Sequence, residues 1–369
     1  MQITCEQQQL LKGIQTVSRV VSSRTTMPIL ANVLLETMKE GVRLVATDLE
    51  LGIQTVVPAT VKKGGAITLP ARLLGEIIGN LPEAAVDLRV QEGGAQVEIQ
   101  CQDTSVEVVG LPAADFPLVP EPDATLVATL EAGLLRTMIR QTAFAVSTDE
   151  TRPFLTGVFV ATEDQTMRLV ATDGGRLALR TAVLGQRVKQ KFAVIVPVKT
   201  MHELARALSG TTGEATVALA ESHLVCTLPE VRLVSRLIAG QFPDYQSVIP
   251  QRYKQRLRLQ TERFLQAIRR AAVTARDSAN VVRLVARESE LTLTSSTPEV
   301  GKTVEKLSVQ AEGEAVEVAF NARYLIDCLS ILETDELIFE LTGPLSPGAI
   351  RPVDQQDYVY VLAPVRVYA

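Results

Sequence analysis

At 369 residues the chain is too long for one ordinary hydrophobic core and suits two or three domains. Its 46% hydrophobic and 21% charged residues are globular composition, and no apolar run approaches the roughly 18 residues that a membrane span needs. A net charge of −5 argues against a protein that holds nucleic acid over its whole surface, but leaves room for a basic stripe on one face.

In chain order, Met1-Gln2-Ile3-Thr4 lacks the basic and apolar regions of a secretory signal, so a cytoplasmic protein is expected. Leu10, Leu11, Ile14, Val17 and Val21 then have helical spacing, and Thr4 with Gln7 predicts a capping box. Similar helices open around Leu134, Leu135, Met138 and Ile139, and again around Phe264, Leu265 and Ile268. The stretch 27–35 is matched by 152–160, and 44–48 by 169–173. A strand running into a second helix recurs at 68–74, 195–201 and 319–325, with Pro70, Pro197 or Asn321 at the helix start. Alternation over 97–101, 291–295 and 316–320 predicts strands. The chain therefore reads as three tandem copies of one α+β unit, each helix, strands, helix, strands. Proline-rich joints at 118–123 and 242–250 place the domains at 1–120, 126–248 and 251–369.

Little catalytic chemistry is visible. Cys5, Cys101, Cys226 and Cys328 lie far apart, and only His202 and His223 could add imidazole, so no zinc site is expected. Cys101 and Cys226 alternate with apolar neighbours and read as buried strand residues in a reducing compartment. Gly301-Lys302-Thr303 resembles the end of a phosphate loop, but Ser296 stands where that motif needs glycine. Asp48 and Asp173 could share a metal, yet they recur because the unit recurs, and Thr-Asp before Gly174-Gly175 is ordinary turn chemistry.

The cations are more informative. Arg72, Lys199 and Arg323 share the first turn of the second helix, where a positive charge opposes the macrodipole. Their recurrence points to a common polyanion. On the first helix Lys12, Arg136 and Gln266 are read as one slot, and Thr16, Arg140 and Arg270 as another. Arg252, Lys254, Arg256 and Arg258 alternate, as either a charged edge strand or a phosphate-facing row would, and the edge strand is the favoured reading.

The segments Leu111-Pro112-Ala113-Ala114-Asp115-Phe116-Pro117, Ala171-Thr172-Asp173-Gly174-Gly175-Arg176-Leu177-Ala178, Gln241-Phe242-Pro243-Asp244-Tyr245 and Ala363-Pro364-Val365-Arg366 resemble signatures of the bacterial sliding clamps, the β subunits of replicative DNA polymerase. The match spans essentially the whole chain. It implies three clamp units, each with two helices packed on antiparallel sheets, and a head-to-tail homodimer forming a six-domain ring. Such a ring encircles duplex DNA without regard to sequence and tethers its partners for processive synthesis. It has no catalytic site, metal, cofactor or membrane attachment. The implied partners are the polymerase, the clamp loader and repair proteins, each bringing a short linear peptide.

The resemblance also implies sites. Gln15, Arg24, Arg72 and Lys199 match DNA-contacting positions in kind, Phe154 keeps an aromatic, and Arg136, Arg140, Arg269, Arg270 and Arg323 complete the expected lining. Asp149 and Pro153 stand where glutamine and tyrosine are common. The peptide pocket would use Leu155, Thr172, Gly174, Gly175, Arg176, Leu177, Pro243, Val248, Asn321, Tyr324, Leu345, Val361, Ala363, Pro364, Val365 and Arg366. Gly175 and Ser247 replace a frequent histidine and arginine, and Tyr368 and Ala369 extend past the usual end. Ile77, Val106 and Val108 would meet Val273 and Glu299 of a second copy. Asp103 and Ser105 replace basic interface residues, and Gly301 and Lys302 replace acidic ones. Two rival readings are a metal-dependent enzyme built on Asp48 and Asp173, and a scaffold that binds only proteins.

Overall fold

A computed structural model of the chain describes residues 1–21, 27–91, 93–121, 125–188, 191–220, 222–276 and 279–366. The first copy runs β1 (Gln2–Glu6), α1 (Gln7–Val17), β2 (Asn32–Met38), β3 (Gly41–Thr47), β4 (Leu51–Pro58), β5 (Thr60–Lys63), β6 (Ala66–Pro70), α2 (Ala71–Asn80), β7 (Ala85–Val90), β8 (Gln96–Cys101) and β9 (Thr104–Val109). The second runs β10 (Thr125–Glu131), α3 (Ala132–Thr142), β11 (Gly157–Glu163), β12 (Thr166–Thr172), β13 (Arg176–Val183), β14 (Phe192–Pro197), α4 (Val198–Ala207), β15 (Glu214–Ala220), β16 (His223–Thr227) and β17 (Val231–Arg236). The third runs β18 (Gln255–Gln260), α5 (Thr261–Ala275), β19 (Val281–Arg287), β20 (Glu290–Thr297), β21 (Gly301–Ser308), β22 (Gln310–Gly313), β23 (Glu317–Asn321), α6 (Ala322–Leu329), β24 (Glu336–Leu341), β25 (Gly348–Pro352) and β26 (Tyr358–Leu362).

Each copy opens with a short strand before its helix, an element the sequence reading did not separate. The helices form because apolar residues recur on one face. On α1 that stripe is Leu10, Gly13, Ile14 and Val17, and on α5 it includes Phe264, Leu265, Ile268 and Ala271. Gly13 lets α1 approach its sheet, since a Cβ there would lie 2.5 Å from Val57 Cγ2. Asn321 caps α6 by accepting from the Arg323 amide at 2.9 Å. The expected capping box does not form. Glu6 is the N-cap of α1 without a side-chain bond, the Thr4 hydroxyl donates to Asp87, and Gln7 Nε2 donates to Ile78 O at 2.6 Å. A tertiary acceptor was available to each side chain.

The chain divides into two compact units, one of Met1–Arg136 with His202–Leu237, the other of Thr137–Met201 with Ile238–Ala369. The first unit holds the sheets β5-β1-β7-β8-β9 and β10-β15-β16-β17-β4-β3-β2-β6. The second holds β14-β11-β12-β13-β26-β25-β24-β18-β22 and β21-β20-β19-β23. The units cut across the sequence copies because strands join one copy to the next: β4 pairs with β17, and β13 with β26, both antiparallel. In each case the strand after the Thr-Asp turn meets the last strand of the following copy.

The basic run is not an edge strand. β18 is paired on both sides, with β24 and β22, and Arg258 and Arg256 reach the carboxylates of Glu336 and Glu340 across the β24 pairing. Cys101 and Cys226 are buried on strands as expected, Cys5 and Cys328 are buried as well, and burial pushes the Cys5, Cys226 and Cys328 thiols up to about 12. Among the described residues no helix is long and apolar enough to cross a membrane.

Candidate functional site

In the second unit the turn between β12 and β13 is built by its own side chains. Asp173 Oδ1 accepts from the amides of Gly175 at 2.8 Å and Arg176 at 3.0 Å. The Thr172 hydroxyl donates to Arg176 O at 2.6 Å and accepts from the Gly174 amide at 3.1 Å. Gly174 has φ 93°, a conformation that favours glycine. Asp48 and Thr47 make the same turn in the first unit, with Asp48 Oδ1 accepting from Glu50 and Leu51. Both carboxylates are committed to backbone amides, which is turn chemistry.

The turn delivers Arg176 into a cage. Its Nε donates to Asp173 at 3.0 Å, Nη1 to Asp327 at 2.5 Å and Nη2 to Phe144 O at 3.0 Å. The guanidinium lies 4.5 Å from the Tyr324 ring centroid. Burial by itself would lower the Arg176 pKa, but the bond to Asp327 and the carboxylate charges of Asp173 and Asp327 raise it instead. All three nitrogens are engaged internally, so Arg176 organises the groove wall. Gly175 leaves space for Tyr324, because a Cβ there would come 3.0 Å from the ring.

Beside this cage lies an apolar floor. Leu155, Leu177 and Val361 join one buried cluster with Val170, Ile195, Phe242, Ala349 and Val359, and Leu177 faces Val361 in the β13–β26 register. Pro243, Val248, Leu345 and Ala363 are exposed around it. The tail continues past β26: the Ala363 amide donates to Gly175 O and the Val365 amide to Ala319 O, both at 2.8 Å. Pro364 and Val365 are half-buried and Arg366 is exposed. Asn321 Oδ1 is spent on the α6 cap, next to Tyr324 in that helix. The structure thus brings three distant segments of the predicted pocket together. Phe154 also packs half-buried against this cluster, where it serves the core.

The helical cations recur as expected on the second helix of each copy. Arg72, Lys199 and Arg323 are each the second residue of α2, α4 and α6, and all are exposed. Arg72 also pairs with Glu76 at 2.9 Å. The slots read on the first helices are off by one in the second copy. Matching buried faces aligns Leu10 and Ile14 with Leu135 and Ile139, and with Phe264 and Ile268. Gln15, Arg140 and Arg269 then share one exposed position, while Arg136 is half-buried beside it. Arg140 bonds Glu333 at 3.1 Å and Arg269 bonds Ser330 at 3.3 Å. Arg270 is held by Glu305 through two bonds of 2.7 Å, which draws it off the free face. Arg24 lies outside the described residues, as do Tyr368 and Ala369.

β9 and β21 are the end strands of their sheets. On β9 Val108 turns inward at 2% exposure and Val106 is half-buried, so the outward valine is Val109 at 65%. Ile77 is half-buried on α2. β21 exposes Lys302, Val304 and Lys306, with Val273 exposed on α5 and Glu299 exposed in the preceding turn.

Comparison with known proteins matches residues 1–120, 129–244 and 246–366 to the N-terminal, central and C-terminal domains of the DNA polymerase III beta subunit. The beta sliding clamp of Bacillus subtilis is 35% identical, with 100% of both chains covered, and that of Pseudomonas aeruginosa is 32% identical with the same coverage. The crystal structure of the Bacillus subtilis DNA polymerase sliding clamp matches with a TM-score of 0.95 and 34% identity over 100% of both chains. A DnaN sliding clamp from Bartonella birtlesii, solved bound to griselimycin, matches with a TM-score of 0.94 and 35% identity over 100% of both chains.

Proposed function

The chain belongs to the DNA polymerase III beta subunit family, and on that premise we propose that it is a DNA sliding clamp, a non-catalytic ring that tethers the replicative polymerase to duplex DNA in the cytoplasm. The observation that carries this reading is the repeated junction. Copy one meets copy two through β4 and β17, and copy two meets copy three through β13 and β26. The counterparts left over are β21 in copy three and β9 in copy one, each at the end of its sheet. A second chain placed head to tail supplies the missing partner at both ends, and two such seams close six copies into a ring. We take the domains to be 1–120, 126–248 and 251–369 as the sequence divides them.

DNA needs no dedicated reading residues in such a device. Gln15, Arg72, Arg140, Lys199, Arg269 and Arg323 would meet the phosphate backbone through few, exposed, salt-screened contacts that allow sliding. Partners would dock as short peptides on the floor of Leu155, Leu177 and Val361, bordered by Pro243, Val248, Leu345 and the 363–366 tail. The griselimycin-bound relative supports a ligand groove of this kind, and we propose that the polymerase, the clamp loader and repair proteins use it.

The test is topological. Protein loaded on a nicked circle should be retained through gel filtration and lost when a restriction cut linearises the circle. Equal retention on both forms overturns the ring reading.

A further inference from the structure

Within the first compact unit, a hollow of about 720 Å³ opens beside the β4–β17 pairing. That volume lies in the range of roughly 300–1,000 Å³ that small-molecule sites occupy. Met38, Arg43, Gln54, Val56 and Arg232 line it from one face of the sheet. The register puts them there: Glu36, two residues before Met38, faces Arg43, Arg43 faces Val56, and Gln54 faces Arg232. Met38 and Val56 are 45% and 49% exposed, so the hollow has an apolar wall.

Four of the five charged side chains around it are already engaged. Arg43 donates to Glu36 and Glu121, both at 3.0 Å, and Lys12 pairs with Glu230 at 2.7 Å. Arg232 differs. It is half-buried with no ion pair among the described residues, and its Nε is buried without a hydrogen-bond partner. Packing does not ask for a cation here. Gly52 pairs with Val234 as Leu177 pairs with Val361, so Gln54 and Arg232 take the places of Leu179 and Val359. In the second unit Val359 is buried and Leu179 packs on the same apolar cluster. The first junction sets an amide and a guanidinium side by side instead, with Cα atoms about 4.5–5.5 Å apart. A half-buried guanidinium without a counter-charge is unfavourable until an anion meets it.

We propose that this hollow binds a small amphipathic anion, its carboxylate or phosphate head on Arg232 and Gln54 and its apolar body along Val56 and Met38. The guanidinium offers paired N–H donors to two oxygens of one head, and the Gln54 amide adds another donor. Glu121 and Glu230 are neutralised by Arg43 and Lys12, which leaves Arg232 to set the sign of the ligand. The site shares no residue with the groove of the second unit.

The experiment titrates octanoate, octyl phosphate and octylamine calorimetrically against the full chain, Arg232→Val, Arg232→Lys and Gln54→Leu, with melting measured alongside. The unaltered chain should bind one of the two anions at one site per chain, and the tighter anion identifies the head; octylamine should bind at least tenfold more weakly. Arg232→Val, which installs the residue of the second copy, should weaken the anion at least tenfold without lowering Tm, and Arg232→Lys should keep part of the affinity. Gln54→Leu should weaken it at least threefold, and it alone decides if Arg232→Val does not fold. Failure of both anions to saturate one site, equal binding of octylamine, or undiminished affinity in the folded variants overturns the assignment.

Discussion

Arg176 and Asp327, 151 residues apart, are joined by a 2.5 Å hydrogen bond that fastens the turn after β12 to helix α6. The arginine side chain is 11% exposed and Asp327 44%. Tyr324, one turn before Asp327 on the same helix, lies under the guanidinium. A single cation therefore sets the spacing between the Thr-Asp turn and the helix that borders the groove.

Arg176→Met should consequently loosen the groove wall. It strands Asp173 and Asp327, whose hydrogen bonds to a charged donor are each worth about 1.5–3 kcal/mol, discounted here because Asp327 is partly hydrated. A net loss of about 2 kcal/mol is expected, which for units of this size lowers Tm by roughly 4–8 °C. Calorimetric melting checks it, and griselimycin affinity should fall with it. Arg176→Lys should rescue little, since one compact ammonium cannot span three acceptors spread around the planar guanidinium fork.

The proposed seam between chains has a predictable register. Thr297 pairs with Gly301 across a turn one residue shorter than those between Thr47 and Gly52 and between Thr172 and Leu177, which puts Gly301 in the place of Gly52 and Leu177. Ile99 pairs with Val106 as Cys226 pairs with Leu233 and Ile350 with Tyr360. In the proposed head-to-tail dimer Glu107 would therefore hold the place of Val234 and Val361, opposite Gly301 of the second chain, and the antiparallel run would set Ser105 opposite Thr303. Directly opposed residues lie about 4.5–5.5 Å apart at Cα, within disulfide reach. Ser105→Cys with Thr303→Cys should give an oxidant-dependent species of twice the chain mass on a non-reducing gel. The native thiols are buried and will stay silent. A monomer band under all oxidants would count against the seam.

Reversing charge at all three second-helix positions, Arg72→Glu, Lys199→Glu and Arg323→Glu, should impair DNA loading without unfolding the chain. Each site is exposed, so stability should change by about 0.5 kcal/mol or less per substitution. If all three meet phosphates, the log–log salt dependence of duplex binding should lose a slope of about 2–3. An unchanged slope in the triple variant would separate these cations from DNA.

Local signals were legible where the sequence itself supplies the partner. Asp48 and Asp173 bond amides two and three residues on, and Asn321 caps the helix that begins beside it, so residue type and spacing sufficed. The threefold repeat was legible because it repeats. Tertiary competition was not. Thr4 looked like a cap until Asp87 was placed beside it, and the basic run looked like an edge until β22 paired with β18. Nor does spacing reveal that Asp327 will cage Arg176, or that Val119 will lie over Gly52. The one-residue slip that set Arg136 beside Lys12 came from matching charges; the buried faces of α1, α3 and α5 align instead through Ile14, Ile139 and Ile268.

Deleting residues 364–369 tests the groove most directly. Three segments distant in sequence meet at the groove, and the tail is the one that can be removed without deleting any strand residue. β26 ends at Leu362, and beyond it the tail is tied by the Ala363 amide to Gly175 O and the Val365 amide to Ala319 O. Truncation leaves the first tie, the Leu177–Val361 pairing and the caged Arg176 in place, so the melting temperature should move by only a few degrees. The cross-linked seam should form as before, because the deleted residues pair with neither β9 nor β21, and their one tie to the β21 sheet is at β23, its opposite end. Ligand affinity should not survive in the same way. A buried anchor at a peptide site commonly accounts for about 2 kcal/mol, which is roughly thirtyfold in Kd. Griselimycin titration of the truncated chain should therefore weaken by that factor or more, and polymerase binding should be lost with it. Undiminished affinity in a truncation with normal mass and melting would move the ligand site away from the tail.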